Sequence, residues 1–110
     1  MLVTRLHLDS EEHAARFFGQ YSEALEKKHV ERSNLMRRTN FFQFDTPEGS
    51  AFLYCFGESC VTMEGATRKL FDAFTKALDW PSAPPPPEHP GAVLEKTATI
   101  LFFPAAQAVL

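Results

Sequence analysis

Cys55 and Cys60 are the only two cysteines in the chain, and four residues separate them in "FLYCFGESCVTMEGA". A thiol pair this close invites three chemistries. The first is metal ligation. C-x4-C is not the usual zinc-knuckle spacing, and tetrahedral sites need two further ligands. His7 offers a third and nothing offers a fourth, so no metal is expected. The second is thiol redox catalysis, whose reactive motif is C-x-x-C at a helix start. Neither the spacing nor the context fits. The third is a structural staple. "FGES" reads as a tight turn centred on Gly57-Glu58. If Phe56 opposes Ser59, Cys55 faces Cys60 in a non-hydrogen-bonded pair, with Cα atoms about 4.5 Å apart. Disulfides accept Cα separations from about 4.4 Å upward. In a reducing compartment the same two residues pack as small apolar side chains, and both readings stay open.

The other chemistry-bearing residues assemble nothing. His13 falls in the first turn of a helix, His29 beyond its end and His89 in a proline run, all positions where a histidine is solvated. Backbone amides after Glu64-Gly65 can hold an anion, but the Glu64 carboxylate repels one. The chain has no G-x-S-x-G, phosphate loop or dinucleotide fingerprint. No acid, base and nucleophile come together, so no catalytic residue and no cofactor are expected.

The elements that carry these residues follow from periodicity. "LVTRLHL" alternates as a strand. "DSEEHAARFFGQYSEALEKKH" carries an N-cap at Asp9 or Ser10 and a helical stripe of Ala14, Phe17, Phe18, Tyr21, Ala24 and Leu25. Gly19 inside it weakens the helix by about 1 kcal/mol, which suggests a close backbone contact there. Residues 27–38, "KKHVERSNLMRR", read as helix end and loop. "TPEGS" suits a three-residue hairpin opposing Thr46 to Ser50. That register, combined with the Gly57-Glu58 turn, puts Phe42, Phe44, Phe52, Tyr54, Val61 and Met63 on one face of a three-stranded meander. "ATRKLFDAFTKALDW" is a second helix with Ala66, Leu70, Ala73, Phe74, Ala77 and Leu78 as its stripe. "PSAPPPPEHPG" has six prolines in eleven residues and reads as a stiff connector. "AVLEKTATILFF" reads as a final strand.

The expected architecture is α+β: a two-layer sandwich in which an antiparallel sheet carries two helices on one face, in the order β-α-β-β-β-α-β, with a ferredoxin-like plan as variant. Residues 1–80 form the compact domain, 81–91 the linker, and 92–110 the last strand and an apolar tail. The abrupt apolar end suggests a piece of a longer chain.

"VTRLHLDSEEHAARFFGQYSEAL" followed by "FLYCFGESCVTMEGATRKLFDAF" resembles a small domain found in some secreted or envelope bacterial proteins beside zinc-metallopeptidase-like regions. The resemblance covers roughly the first 80 residues. It implies a non-catalytic accessory module. The peptidase signature H-E-x-x-H is absent, so no catalytic residue carries over.

Three functional readings follow. The first is an interaction domain that meets a protein partner, a second copy or its own longer chain through the outer sheet face at Phe41, Leu53, Cys55, Cys60 and His7. The second is a dimeric, monooxygenase-like protein with an apolar pocket near Phe18, Tyr21, Phe44 and Tyr54. The third is nucleic-acid binding through 27–38, which the net charge of -3 opposes. The terminal run "ATILFFPAAQAVL" has 13 residues, short of the roughly 20 a membrane span needs. An oxidised Cys55–Cys60 pair places the protein outside the cytoplasm, and free thiols place it inside.

Overall fold

The structure is a computed structural model that describes residues 1–86. Chain order is β1 (Leu2–His7), α1 (Glu11–Lys28), β2 (Ser33–Arg37), β3 (Phe41–Thr46), β4 (Gly49–Phe56), β5 (Ser59–Ala66) and α2 (Arg68–Ala77). The five strands form one sheet in the order β1-β5-β4-β3-β2, antiparallel throughout. The final strand expected within 92–110 lies outside the described residues.

Helix α1 starts where the Ser10 hydroxyl accepts the His13 N–H at 3.1 Å, with Glu11 and Glu12 at the positive end of its dipole. Its C-terminus carries Lys27 and Lys28, and the Arg32 guanidinium donates to the Glu26 and His29 carbonyls. Helix α2 is capped in the same way by Thr67, whose hydroxyl accepts the Leu70 N–H.

The α+β class and the antiparallel sheet match the sequence reading, but the layering does not. The two helices lie on opposite faces. Phe42, Phe44, Ala51, Leu53, Cys55 and Cys60 pack with Ala14, Phe18 and Leu25 of α1. Phe41, Phe52, Tyr54, Val61 and Met63 pack with Phe71 of α2. Residues of opposite parity on one strand point to opposite sides, so the sheet is the middle of three layers and the split ferredoxin-like plan is not adopted.

The placement of the β3 side chains also differs, through a register slip of one residue. The β4–β5 hairpin pairs Phe56 with Ser59, Cys55 with Cys60, Tyr54 with Val61 and Phe52 with Met63, as the Gly57-Glu58 turn requires. The β3–β4 hairpin closes with two residues, Pro47 and Glu48, and pairs Thr46 with Gly49, Phe44 with Ala51 and Phe42 with Leu53. The Thr46 hydroxyl donates to the Gly49 carbonyl at 2.6 Å and draws Gly49 into the strand. A one-residue slip sends Phe42 and Phe44 to the other side of the sheet. Gly49 has no alternative there, because a Cβ would stand 2.8 Å from the Gly65 carbonyl carbon.

Residues 33–37, read as loop, form the edge strand β2. Only Met36 of its five residues is buried, so it has no periodic apolar signal. Pairing with β3 creates it, through a bulge at Asn34, whose φ is 53°.

The described body also runs past residue 80. Trp80 packs edge-on to Tyr54 with ring centroids 5.4 Å apart, and Ala83 is buried in the second-face core. The start of the proline run therefore belongs to the domain rather than to a free linker.

Candidate functional site

Four places hold chemistry-bearing groups in a defined geometry. The first is the cysteine pair. The two sulfurs stand at bonding distance, 2.02 Å, beneath the N-terminal half of α1, each 3.9 Å from the Ala14 carbonyl oxygen. Cys60 is fully buried and Cys55 nearly so. Cys55 borders a cleft of about 280 Å³ shared with Glu11, Ala14, Phe18 and Asn40.

The second is a polar cluster that sequence reading did not find. Glu64 on β5 has an 8% exposed side chain. Its Oε1 accepts from His29 Nε2 at 2.8 Å and stands 3.0 Å from Lys28 Nζ. Its Oε2 is buried and has no hydrogen-bond partner among the described residues. Burial pushes the carboxyl up, but the hydrogen bonds from His29 and Lys28 outweigh it, so Glu64 titrates below its ordinary 4.5. The hydrogen bond to Glu64 in turn raises Lys28 above 10.5. His29 also meets the Phe44 ring edge-on. The cluster ties the end of α1 to the sheet. Among the described residues no group of three or more His, Cys, Asp or Glu side chains is placed to hold a metal.

The third centres on Arg68, at the start of α2. Its Nε donates to Asp72 at 2.9 Å and one terminal nitrogen to Gln43 Oε1 at 3.0 Å. The other terminal nitrogen donates to the carbonyls of Ala83, at 3.1 Å, and Pro84. The guanidinium lies 5.3 Å from the centre of the Phe41 ring. Tyr54 donates its hydroxyl to the Pro81 carbonyl at 2.9 Å, and burial raises its pKa against the charge of Arg68.

The fourth is the outer edge of β1. Phe56 and Ser59 flank a two-residue turn as a hydrogen-bonded pair, and alternation from there turns the backbone groups of Cys60, Thr62 and Glu64 toward β1. Their partners Leu6, Thr4 and Leu2 use their own groups in this ladder. Leu8 continues it by donating to the Glu58 carbonyl at 2.7 Å. Val3, Arg5 and His7 therefore direct N–H and C=O away from the sheet. Met1, Leu2 and Val3 are 73%, 52% and 37% exposed.

The residues expected to form an outer interaction surface do not form one. Phe41 is buried on the α2 side, while Leu53, Cys55 and Cys60 are buried on the α1 side. Only His7 is exposed, beside Ser59 and Glu58. The expected pocket is divided as well. Phe18, Tyr21 and Phe44 lie on the α1 side and Tyr54 on the α2 side. The two corrections have different origins: a helix covers each face of the sheet, so no outer face is left open, and the one-residue slip of β3 separates Phe44 from Tyr54. Within residues 27–38, Lys28 is engaged with Glu64 and Arg32 with the helix carbonyls. Arg37 lies 4.2 Å over the Phe42 ring and bonds Ser22.

No protein family, no curated protein and no solved structure matches the chain. No helix among the described residues is long and apolar enough to cross a membrane.

Proposed function

We propose that this chain is a non-catalytic accessory or interaction domain, and that the surface it offers is the open edge of β1. One observation carries the reading. β1 keeps an unbroken register with β5 from Leu2 to His7, presents backbone groups of Val3, Arg5 and His7 that no strand among the described residues pairs, and exposes Met1, Leu2 and Val3 at its N-terminal end. An edge of this kind is a template for an added strand. The opposite edge is blunted, because β2 carries a bulge and a left-handed Asn34 and ends in basic residues. With a helix on each face, the edge replaces the sheet face as the contact. The partner is an extended segment of another protein or of a longer parent chain. An oxidised Cys55–Cys60 pair and the resemblance to envelope accessory modules favour an extracytoplasmic setting.

Two proline variants test this on the full chain. Arg5→Pro deletes an outward N–H and leaves the β5 ladder intact, whereas Thr4→Pro deletes an inward one. The proteins that co-purify with the native chain from its own cells are the readout. Arg5→Pro is expected to keep the fold, by far-UV circular dichroism and melting, and to lose them. Retention of the same partners by a folded Arg5→Pro chain would refute the edge as the contact.

A further inference from the structure

The opening of the proline run is held as a ligand is held. Residues 81–84 cross the second face of the sheet, and what the body reads in them is mostly backbone. Tyr54 takes the carbonyl of Pro81, and Arg68 takes those of Ala83 and Pro84. One side chain of the four, Ala83, is buried, at 8% exposure, while Pro81 and Ser82 face solvent. The reading groups belong to the folded body and are fixed by it. Gln43, 4% exposed, and Asp72 orient the guanidinium, and the Phe41 ring lies beneath it. A cleft of about 320 Å³ remains between α2 and the segment, bordered by Arg68, Thr75, Trp80 and Ala83.

Side-chain donors to peptide carbonyls, set among aromatic rings, are the chemistry by which grooves recognise extended proline-rich peptides. Such peptides lose little entropy on binding because proline fixes their backbone beforehand. The connection to α2 is short. Asp79 adopts φ 62° as the left-handed residue that closes α2, where the N–H groups of Asp79 and Trp80 donate to the Lys76 and Thr75 carbonyls, so the segment leaves the helix directly at Trp80.

We propose that the groove between α2 and β3 is a recognition site for extended, proline-containing segments of partner proteins, and that residues 81–84 occupy it in cis. The ligand has free carbonyls spaced as in Pro-Ser-Ala-Pro and a small side chain at the position of Ala83. This surface lies on the α2 face, apart from the β1 edge, and stands or falls independently of it.

The test uses the full chain and a labelled peptide copying residues 79–86. Trp80 is the only tryptophan, so its emission reports whether the segment is docked. Ala83→Asp places a charge at the one buried position, releases the segment and shifts Trp80 emission to the red. The peptide, followed by anisotropy, then binds Ala83→Asp at least about tenfold more tightly than the native chain, whose tethered segment competes at an effective concentration on the order of millimolar. Adding Arg68→Gln to Ala83→Asp abolishes that binding while circular dichroism is unchanged. A red shift without peptide binding overturns the proposal. So does an unshifted Trp80 or a loss of sheet signal in Ala83→Asp, either of which makes the segment an integral part of the core. A native dimer in sedimentation that Arg68→Gln dissolves overturns the partner assignment in favour of a second copy.

Discussion

Replacing Glu64 with Gln tests the electrostatic account of the α1–sheet junction. The variant keeps the shape of the side chain and an acceptor at the Oε1 position but removes the charge. The His29 hydrogen bond at 2.8 Å falls from the charged class to the neutral one, a loss of about 1 kcal/mol. The Lys28 ammonium is 57% exposed, so solvent screens it and it adds little to the sum. A new N–H₂ takes the place of Oε2, which has no partner among the described residues, and an unsatisfied buried donor costs about 1–3 kcal/mol. Removing the buried charge returns part of its desolvation. The net is a loss of about 2 kcal/mol at pH 7, or roughly 10 °C in Tm for a domain of this size. The pH dependence gives the sharper signature. The folded carboxyl titrates below its ordinary 4.5, so its stabilisation is complete above that value and is lost as pH falls through the lowered folded value. Urea unfolding at pH 7, 5 and 3 should show the native chain losing its advantage over Glu64→Gln only at the lowest pH. A variant as stable as the native chain at pH 7, or a gap unchanged at pH 3, would refute the argument.

Two other perturbations separate local from tertiary effects. Gly19→Ala should stabilise the chain by about 1 kcal/mol in urea unfolding, because a Cβ at Gly19 meets nothing within 4 Å; a loss of stability would reveal a contact the structure does not contain. Alkylation without reductant should add no group to the native protein and two groups after reduction. Double replacement of Cys55 and Cys60 by Ala should lower stability by about 2 kcal/mol, the chain-entropy value for so short a loop. Two alkyl groups added before reduction would contradict the staple.

What the sequence disclosed depended on whether a local signal was unambiguous. The Gly57-Glu58 turn, with Gly57 at φ 62°, fixed the β4–β5 register and the opposition of Cys55 to Cys60. "NFFQF" carried no such signal, since aromatic residues stand at both parities, Phe41 on one and Phe42 and Phe44 on the other. When both faces of a strand are buried, apolar alternation cannot choose a register. The stripe of α2 was misphased for a related reason. In "KLFDAF" Leu70 and Phe71 compete for the inward position, and packing chooses Phe71, which stacks on Phe52 with ring centroids 4.5 Å apart, while Leu70 is 43% exposed. The suggested contact at Gly19 is absent among the described residues. The Glu64–His29 and Arg68–Pro84 contacts join residues distant in sequence and were invisible because each partner alone is an ordinary charged or turn residue. The open β1 edge was unreadable for another reason: "LVTRLHL" says strand but not which neighbours it has.

Residue-resolved amide exchange across β1, on the isolated chain and on the complex recovered from its own cells, tests the central claim most directly. In isolation the inward amides of Leu2, Thr4 and Leu6 should exchange slowly and the outward amides of Val3, Arg5 and His7 quickly. In the complex the outward three should become protected together. Outward amides that still exchange at the isolated rate with the partner bound would contradict strand addition at this edge.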